Sequence, residues 1–228
     1  MKTGVPFDMA FQKLTAFTNK DKENHTVGGM LPGFPSRVGY FAAPSRGKRS
    51  ACLNLIAREK PMFDTFTIVH IDPNTTEYSL LDDGEYKVIG FHQDGLPDPT
   101  SFDRSKKNCL ILDELPWDTM SSQQKSQAER LMNFGSTHHS ISIHIQAQDV
   151  FAVPISVRRA LTQHVALWSS PIRMSQALYS RMLGLRLQPL FDKLCTLRYD
   201  FLFLDFTGDG PPVRKNVFEV IDAYERSG

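Results

Sequence analysis

Residues 109–112, Cys-Leu-Ile-Leu, are apolar at every position and run straight into Asp113 and Glu114. A strand with one face in water alternates apolar and polar residues, whereas a continuously apolar strand has both faces covered. This run therefore predicts the interior of a sheet clad with helices on both sides. It also leaves two carboxylates at the strand's tip, where a buried charge is costly unless it has a partner or a function.

The rest of the chain fits that frame. Arg37–Ala43, Thr65–Ile71, Lys87–Phe91, Ser140–Ile145 and Tyr199–Phe206 read as strands, rich in β-branched or apolar residues. Helices are predicted over Gly47–Lys60, stopped by Pro61, and over Ser121–Phe134, with Ser121 as N-cap and an end near Gly135. Pro154–Trp168 reads as a helix opening into strand-like residues, and Ser175–Leu183, Pro189–Leu194 and Val217–Tyr224 as helices. Strands alternating with helices give an α/β fold with a mostly parallel central sheet flanked by helices.

At 228 residues, 41% hydrophobic and 22% charged, the chain suits one globular domain. We place that domain at 33–228, after a leader of helix plus loop over 1–32. Phe7–Phe17 carries helical spacing, and a floppy terminus is an equal reading of the same residues. A net charge of +1 neither implies nor excludes nucleic acid, so any basic surface must be local. Cys52, Cys109 and Cys195 lie far apart in apolar stretches without a CxxC, which predicts buried free thiols in a reducing compartment. No secretory h-region and no apolar run near ~18 residues is present, so a soluble protein with no membrane-spanning segment is expected.

Between the first strand and the first helix lies Pro44-Ser45-Arg46-Gly47-Lys48-Arg49-Ser50. Phosphate binding needs backbone N–H groups aimed at one point, a helix N-terminus and a lysine that reaches the terminal phosphates. Gly47 allows close backbone approach and Lys48 supplies the charge. The GxxxxGK[ST] pattern is incomplete, because Ala42 replaces its first glycine and Arg49 its hydroxyl residue. Ser50 is then the candidate Mg²⁺ hydroxyl; alternatively the ion is held through water and Asp113. Taken alone, the segment reads as a basic turn at a helix start in preference to a phosphate loop. With the apolar strand and its acids downstream, the order strand, Gly-Lys, helix, then Asp-Glu reads as a P-loop NTPase binding ATP and Mg²⁺. In that reading Asp113 orders the metal and Glu114 is the general base.

Gln148 follows the strand Ser140–Ile145, where it is either a sensor touching the γ-phosphate and the lytic water or a solvated strand end. Arg158 and Arg159 read, by themselves, as surface arginines on a helix. His138-His139 invites a metal reading, but adjacent side chains diverge and no third ligand is close, which favours a structural turn. Trp117 and Trp168 read as packing residues. Arg104, Lys106 and Lys107 form one basic cluster and Arg214 and Lys215 another, each a candidate DNA contact or a solvated face.

The segments FPSRVGYFAAPSRGKRSACLNLI, CLILDELP, STHHSISIHIQAQDVFAVPISVRRALTQHVALW and FLFLDFTGDGPPVRKNVFEVI together resemble the genome-packaging ATPases of double-stranded DNA viruses, the poxvirus-type and related enzymes of the FtsK/HerA superfamily. The resemblance spans residues 33–221. It implies a RecA-like core, a homo-oligomeric ring, ATP hydrolysis and double-stranded DNA pulled into a preformed viral capsid, in the virion or the host-cell interior. By the same resemblance Gly47 and Lys48 bind phosphates, Asp113 binds Mg²⁺, Glu114 activates water, Gln148 senses the γ-phosphate, and Arg158 or Arg159 acts in trans. The departures at Ala42, Arg46 and Arg49 keep two further readings open. One is a catalytically silent relative acting as a nucleotide- or DNA-binding assembly factor, and the other a P-loop enzyme acting on a small phosphoryl acceptor.

Overall fold

The computed structural model describes residues 31–59, 63–81, 85–161, 163–169, 174–207, 212–217 and 219–221. The helix expected over Phe7–Phe17, with the leader through residue 30, lies outside the described residues.

The strands are β1 (Arg37–Phe41), β2 (Thr65–His70), β3 (Glu85–Gly90), β4 (Asn108–Asp113), β5 (Ile141–Ala147), β6 (His164–Trp168), β7 (Phe201–Asp205), β8 (Val213–Lys215) and β9 (Glu219–Val220). They form one 9-stranded sheet in the order β3-β2-β4-β5-β1-β6-β7-β8-β9. From β3 through β6 every pairing is parallel. β7, β8 and β9 extend the sheet antiparallel. The helices are α1 (Lys48–Glu59), a short α2 (Phe91–Asp94), α3 (Ser122–Arg130), α4 (Ile155–Ala160), α5 (Met174–Leu183) and α6 (Leu187–Leu194).

The continuous apolar runs are buried on both faces, as expected. Alternation in β4 sends Cys109 and Ile111 into the core under α1, with Cys52, Leu55 and Ile56. Leu110 and Leu112 enter the opposite core, with Ala128 of α3, Val157 of α4, Tyr179 of α5 and Phe191 of α6. The same period places Asp113 on the α1 side of the sheet.

Ser121 caps α3 with a capping box: its hydroxyl accepts from the Gln124 amide at 3.2 Å, and the Gln124 side chain accepts from the Ser121 amide at 2.9 Å. The helix passes through Gly135, which keeps helical angles (φ −60, ψ −47), by way of a π-turn over Leu131–Gly135 and a last turn over Ser136–His138. The chain turns only at Ser140, whose φ is 52.

The predicted helix beginning at Val217 does not form across the described residues; Glu219–Val220 are β9 instead, paired with β8. Asn216 ties it to the sheet edge, exchanging hydrogen bonds with the Phe201 backbone at 3.0 and 3.1 Å and donating to Asp200 at 3.0 Å. These partners come from β7, outside any local window, and override helix propensity. Residues 222–224 of that prediction lie outside the described residues.

Candidate nucleotide-binding site

β1 leaves the middle of the sheet and the chain turns through residues 42–47 into α1. The turn needs left-handed backbone at Ser45 (φ 58) and Gly47 (φ 84). A Cβ on Gly47 would lie 3.0 Å from the Tyr199 ring, so glycine serves both the φ and the close approach. The Gly47 carbonyl accepts the first helical bond, from Ala51, at 2.9 Å.

Lys48 and Arg49 therefore occupy the opening turn of α1, which contains no acid. Cations here are disfavoured by the helix dipole and call for anions nearby. The acids of β4 supply them. β5 separates β1 from β4, so the two strand tips are about 10 Å apart, and the long basic side chains bridge the gap. Lys48 Nζ is ion-paired with Glu114 Oε1 and lies 3.3 Å from the Ala42 carbonyl. Glu114 reaches it because its own backbone is left-handed, φ 47, held by a 3.0 Å bond from its amide to the Gln146 carbonyl.

Arg49 donates from Nε to Asp113 Oδ2 at 2.8 Å, and its second terminal nitrogen lies 2.7 Å from the same oxygen. Its other terminal nitrogen is ion-paired with Glu77. Burial works against the guanidinium charge, but Asp113, Tyr78 and Glu114 together more than offset it, and the Arg49 pKa is raised. Asp113 is fully buried. Its Oδ2 also accepts the Tyr78 hydroxyl at 2.5 Å and lies 3.6 Å from His70 Nε2. The Asp72 amide donates to His70 Nδ1 at 3.0 Å and so fixes the ring. Burial, then the neighbouring Asp113 charge, raises the Tyr78 pKa and keeps the phenol a donor.

The structure thus brings Lys48, Arg49, Asp113 and Glu114 to one point. Pro44 and Ser45 are exposed in the loop, and Ser50 is exposed one residue past Arg49. A divalent ion fits this arrangement poorly: one Asp113 oxygen is taken by a guanidinium and a phenol, the other is buried, and Ser50 is exposed. Gln148, exposed, is the residue after β5, whose last pairs are Asp113↔Gln146 and Phe41↔Ala147, which sets it between the two tips.

Sequence reasoning missed Gln146, Tyr78 and His70. Gln146 is buried and its amide lies 3.4 Å from the Tyr78 hydroxyl. The signal was present for Gln146, two residues before Gln148 and so on the same face. For Tyr78, between β2 and β3, there was none. Also unforeseen is a cavity of about 330 Å³ beside the loop, lined by Arg46, Trp168, Ser169, Leu197, Arg198 and Asp200, among others. Trp168 packs on Phe201 at 4.4 Å, as a packing residue should, and also walls this cavity.

Other candidates fall elsewhere. Arg158 stacks over Phe151 at 4.8 Å and Arg159 is exposed, both on α4, whose Val157 and Ala160 join the core on the face away from α1. His139 accepts from Arg104 Nε at 3.2 Å and His138 stacks on Phe134, as in a structural turn. No cluster of three or more metal-ligating side chains occurs among the described residues. Arg214 is not on a solvated face: it is fully buried, 3.2 Å from Asp205 and over the Phe203 ring. Lys215 pairs with Asp200 at 3.4 Å. Arg104, Lys106 and Lys107 precede β4, about 20 Å from its acidic tip. Cys52 and Cys109 are buried free thiols, and Cys195 is half-buried. No helix among the described residues is long and apolar enough to cross a membrane.

No protein-family model matches the sequence, and no curated protein matches it. Solved structures do. The DNA-packaging ATPase B204 of Sulfolobus Turreted Icosahedral Virus superposes with TM-score 0.53 at 13% identity, over 84% of this chain and 100% of its own. The genome packaging NTPase B204 of Sulfolobus turreted icosahedral virus 2, in complex with sulfate, gives 0.54 at 14%, over 82% and 98%. The pCW3 conjugation coupling protein TcpA, in monomer form with ATPγS, gives 0.51 at 10%, over 84% of this chain and 62% of its own. The chain has the α/β, RecA-like fold of P-loop NTPases, and its resemblance to viral genome-packaging ATPases holds at the level of that fold.

Proposed function

We propose that the chain is an ATP-hydrolysing DNA translocase that drives double-stranded viral DNA into a preformed capsid, working as a homo-oligomeric ring in the virion or the infected host cell. The observation that carries this reading is the meeting of Lys48 with Glu114, beside Arg49 and Asp113, at the tips of strands flanking β5. Supporting it are the fold shared with packaging ATPases and the cavity at Arg46, which is large enough for the nucleoside end of ATP.

The chemistry follows from the residues. The loop amides and Lys48 hold the terminal phosphates at the N-terminus of α1. Phosphate oxygens draw the ammonium away from Glu114 and free its carboxylate. Glu114 then takes a proton from the attacking water, while Lys48 offsets the charge developing on the transferred phosphoryl group. Gln148, at the tip of β5, contacts the γ-phosphate side of this water. Arg158 or Arg159 reaches a neighbouring subunit's nucleotide, stabilising charge in trans.

The test is ATP turnover with and without duplex DNA. We expect turnover that duplex DNA stimulates and that Lys48→Ala and Glu114→Gln each abolish. No nucleotide binding at all would overturn the reading. One observation favours a second reading, a nucleotide- or DNA-binding assembly factor without turnover: Arg49 is already seated on Asp113. ATP binding with no hydrolysis, with or without DNA, decides for it.

A further inference from the structure

The residue after the phosphate-loop lysine is an arginine, and its guanidinium lies on the one carboxylate assigned to a divalent ion. We infer that Arg49 takes the place of that cation at Asp113, so that the site binds nucleoside triphosphate without magnesium. The inference rests on the nucleotide-binding reading above and specifies what that site requires.

Three observations converge. First, Arg49 grips Asp113 Oδ2 with two nitrogens, at 2.8 and 2.7 Å, and the Tyr78 hydroxyl takes the same oxygen. A divalent ion bound there needs contact at about 2.0–2.1 Å, which the guanidinium already blocks by volume and by charge. Second, Asp113 Oδ1 is buried without a partner, so it offers no surface to an ion that keeps most of its water. Third, Ser50, the residue whose hydroxyl was the candidate to complete a metal site, is exposed, and its carbonyl is held by the Asn54 amide at 2.8 Å.

The arrangement also supplies what the ion would have supplied. A guanidinium is permanently charged and presents five donors in a planar fork. Asp113 and Glu77 use part of that fork, and Glu77 is an exposed carboxylate that a triphosphate can replace. Arg49 then bridges Asp113 and the phosphates, in the first turn of α1 at its positive end. The Tyr78 ring, 5.9 Å from the guanidinium carbon, holds the fork in place.

The experiment is equilibrium binding of a fluorescent ATP analogue to the full chain, in EDTA and in excess magnesium. We expect dissociation constants that agree within about 2-fold. Arg49→Ser should lose at least ~10-fold in affinity in EDTA and regain part of it with magnesium, whereas Arg49→Lys should stay magnesium-independent. Binding that appears only with magnesium in the unaltered chain overturns the inference and leaves the nucleotide site standing. Binding in neither condition overturns both. The comparison on the unaltered chain decides the matter even if Arg49→Ser fails to fold.

Discussion

The Lys48 ammonium and the Glu114 carboxylate are ion-paired between the start of α1 and the tip of β4, with the lysine side chain 6% and the glutamate 35% exposed. The cation that should hold phosphate is thus held by the base that should attack through water. On the function proposed above, each would be withheld from its task until a triphosphate separated them.

Removing the anion alone should therefore favour nucleotide. Glu114→Gln is expected to bind ATP more tightly than the unaltered chain, by up to ~5-fold, since a partly exposed ion pair is worth about 1 kcal/mol. Titration with a fluorescent ATP analogue checks it. Weaker binding by the variant would show that the pair is no competitor for phosphate.

A second pair lies deeper. His144 on β5 meets the Tyr40 hydroxyl at 3.0 Å through Nδ1 and stands 3.6 Å from Glu59 through Nε2. Burial pushes His144 down to about 3 and Glu59 well up, so both are neutral. For His144 the unfolded chain binds a proton below about 6.5 that the native state refuses until about pH 3, so its contribution is full above that unfolded value and is lost as pH falls. For Glu59 the native state keeps a proton that the unfolded chain releases above about 4.3, so its contribution fades as pH rises. Glu59→Gln, which mimics the neutral form, should gain on the unaltered chain as pH rises above about 4.3. His144→Gln should gain on it in the opposite direction, below pH ~6.5. Melting temperatures across this range measure both, and parallel curves would refute the neutral pair.

Gly47→Ala combines a left-handed backbone, φ 84, with a Cβ placed 3.0 Å from Tyr199. The expected cost is about 1–2 kcal/mol, read as a fall in Tm of about 2–4 °C per kcal/mol. Tyr199→Ala in the same background should recover only the steric part. An unchanged Tm in Gly47→Ala would mean that the loop adopts another turn.

Arg214→Met should be severe. It leaves Asp205 with a buried charge and one partner fewer, at a cost of about 3–5 kcal/mol. Lys106→Ala, on the half-exposed approach to β4, should stay within about 0.5 kcal/mol. Denaturant titration separates the two, and a mild Arg214→Met would return that residue to the list of DNA contacts.

Much of this architecture was legible because it is written in local pattern. Cys109–Leu112 announced a doubly covered strand, and period-2 alternation then fixed which face Asp113 would take. Ser121 announced its capping box. Gly47-Lys48 was placed between a strand and a helix despite Ala42 and Arg49, and that is where β1 and α1 set it. The failures share one cause, a partner distant in sequence. Asn216 is claimed by β7, Arg214 by Asp205, and Tyr78 by Asp113. Nothing near residue 78 signals that a phenol is needed against a carboxylate of another strand.

β5 is buried along its whole length and laddered on one side to β1 and on the other to β4. Its amides have no route to solvent short of dismantling the sheet, so in deuterated water they should be the last to exchange and should report global unfolding. Nucleotide, by contrast, should slow exchange only in the turn over residues 42–47 and the first amides of α1. The frame stays fixed, and accommodation is left to side chains and one short turn.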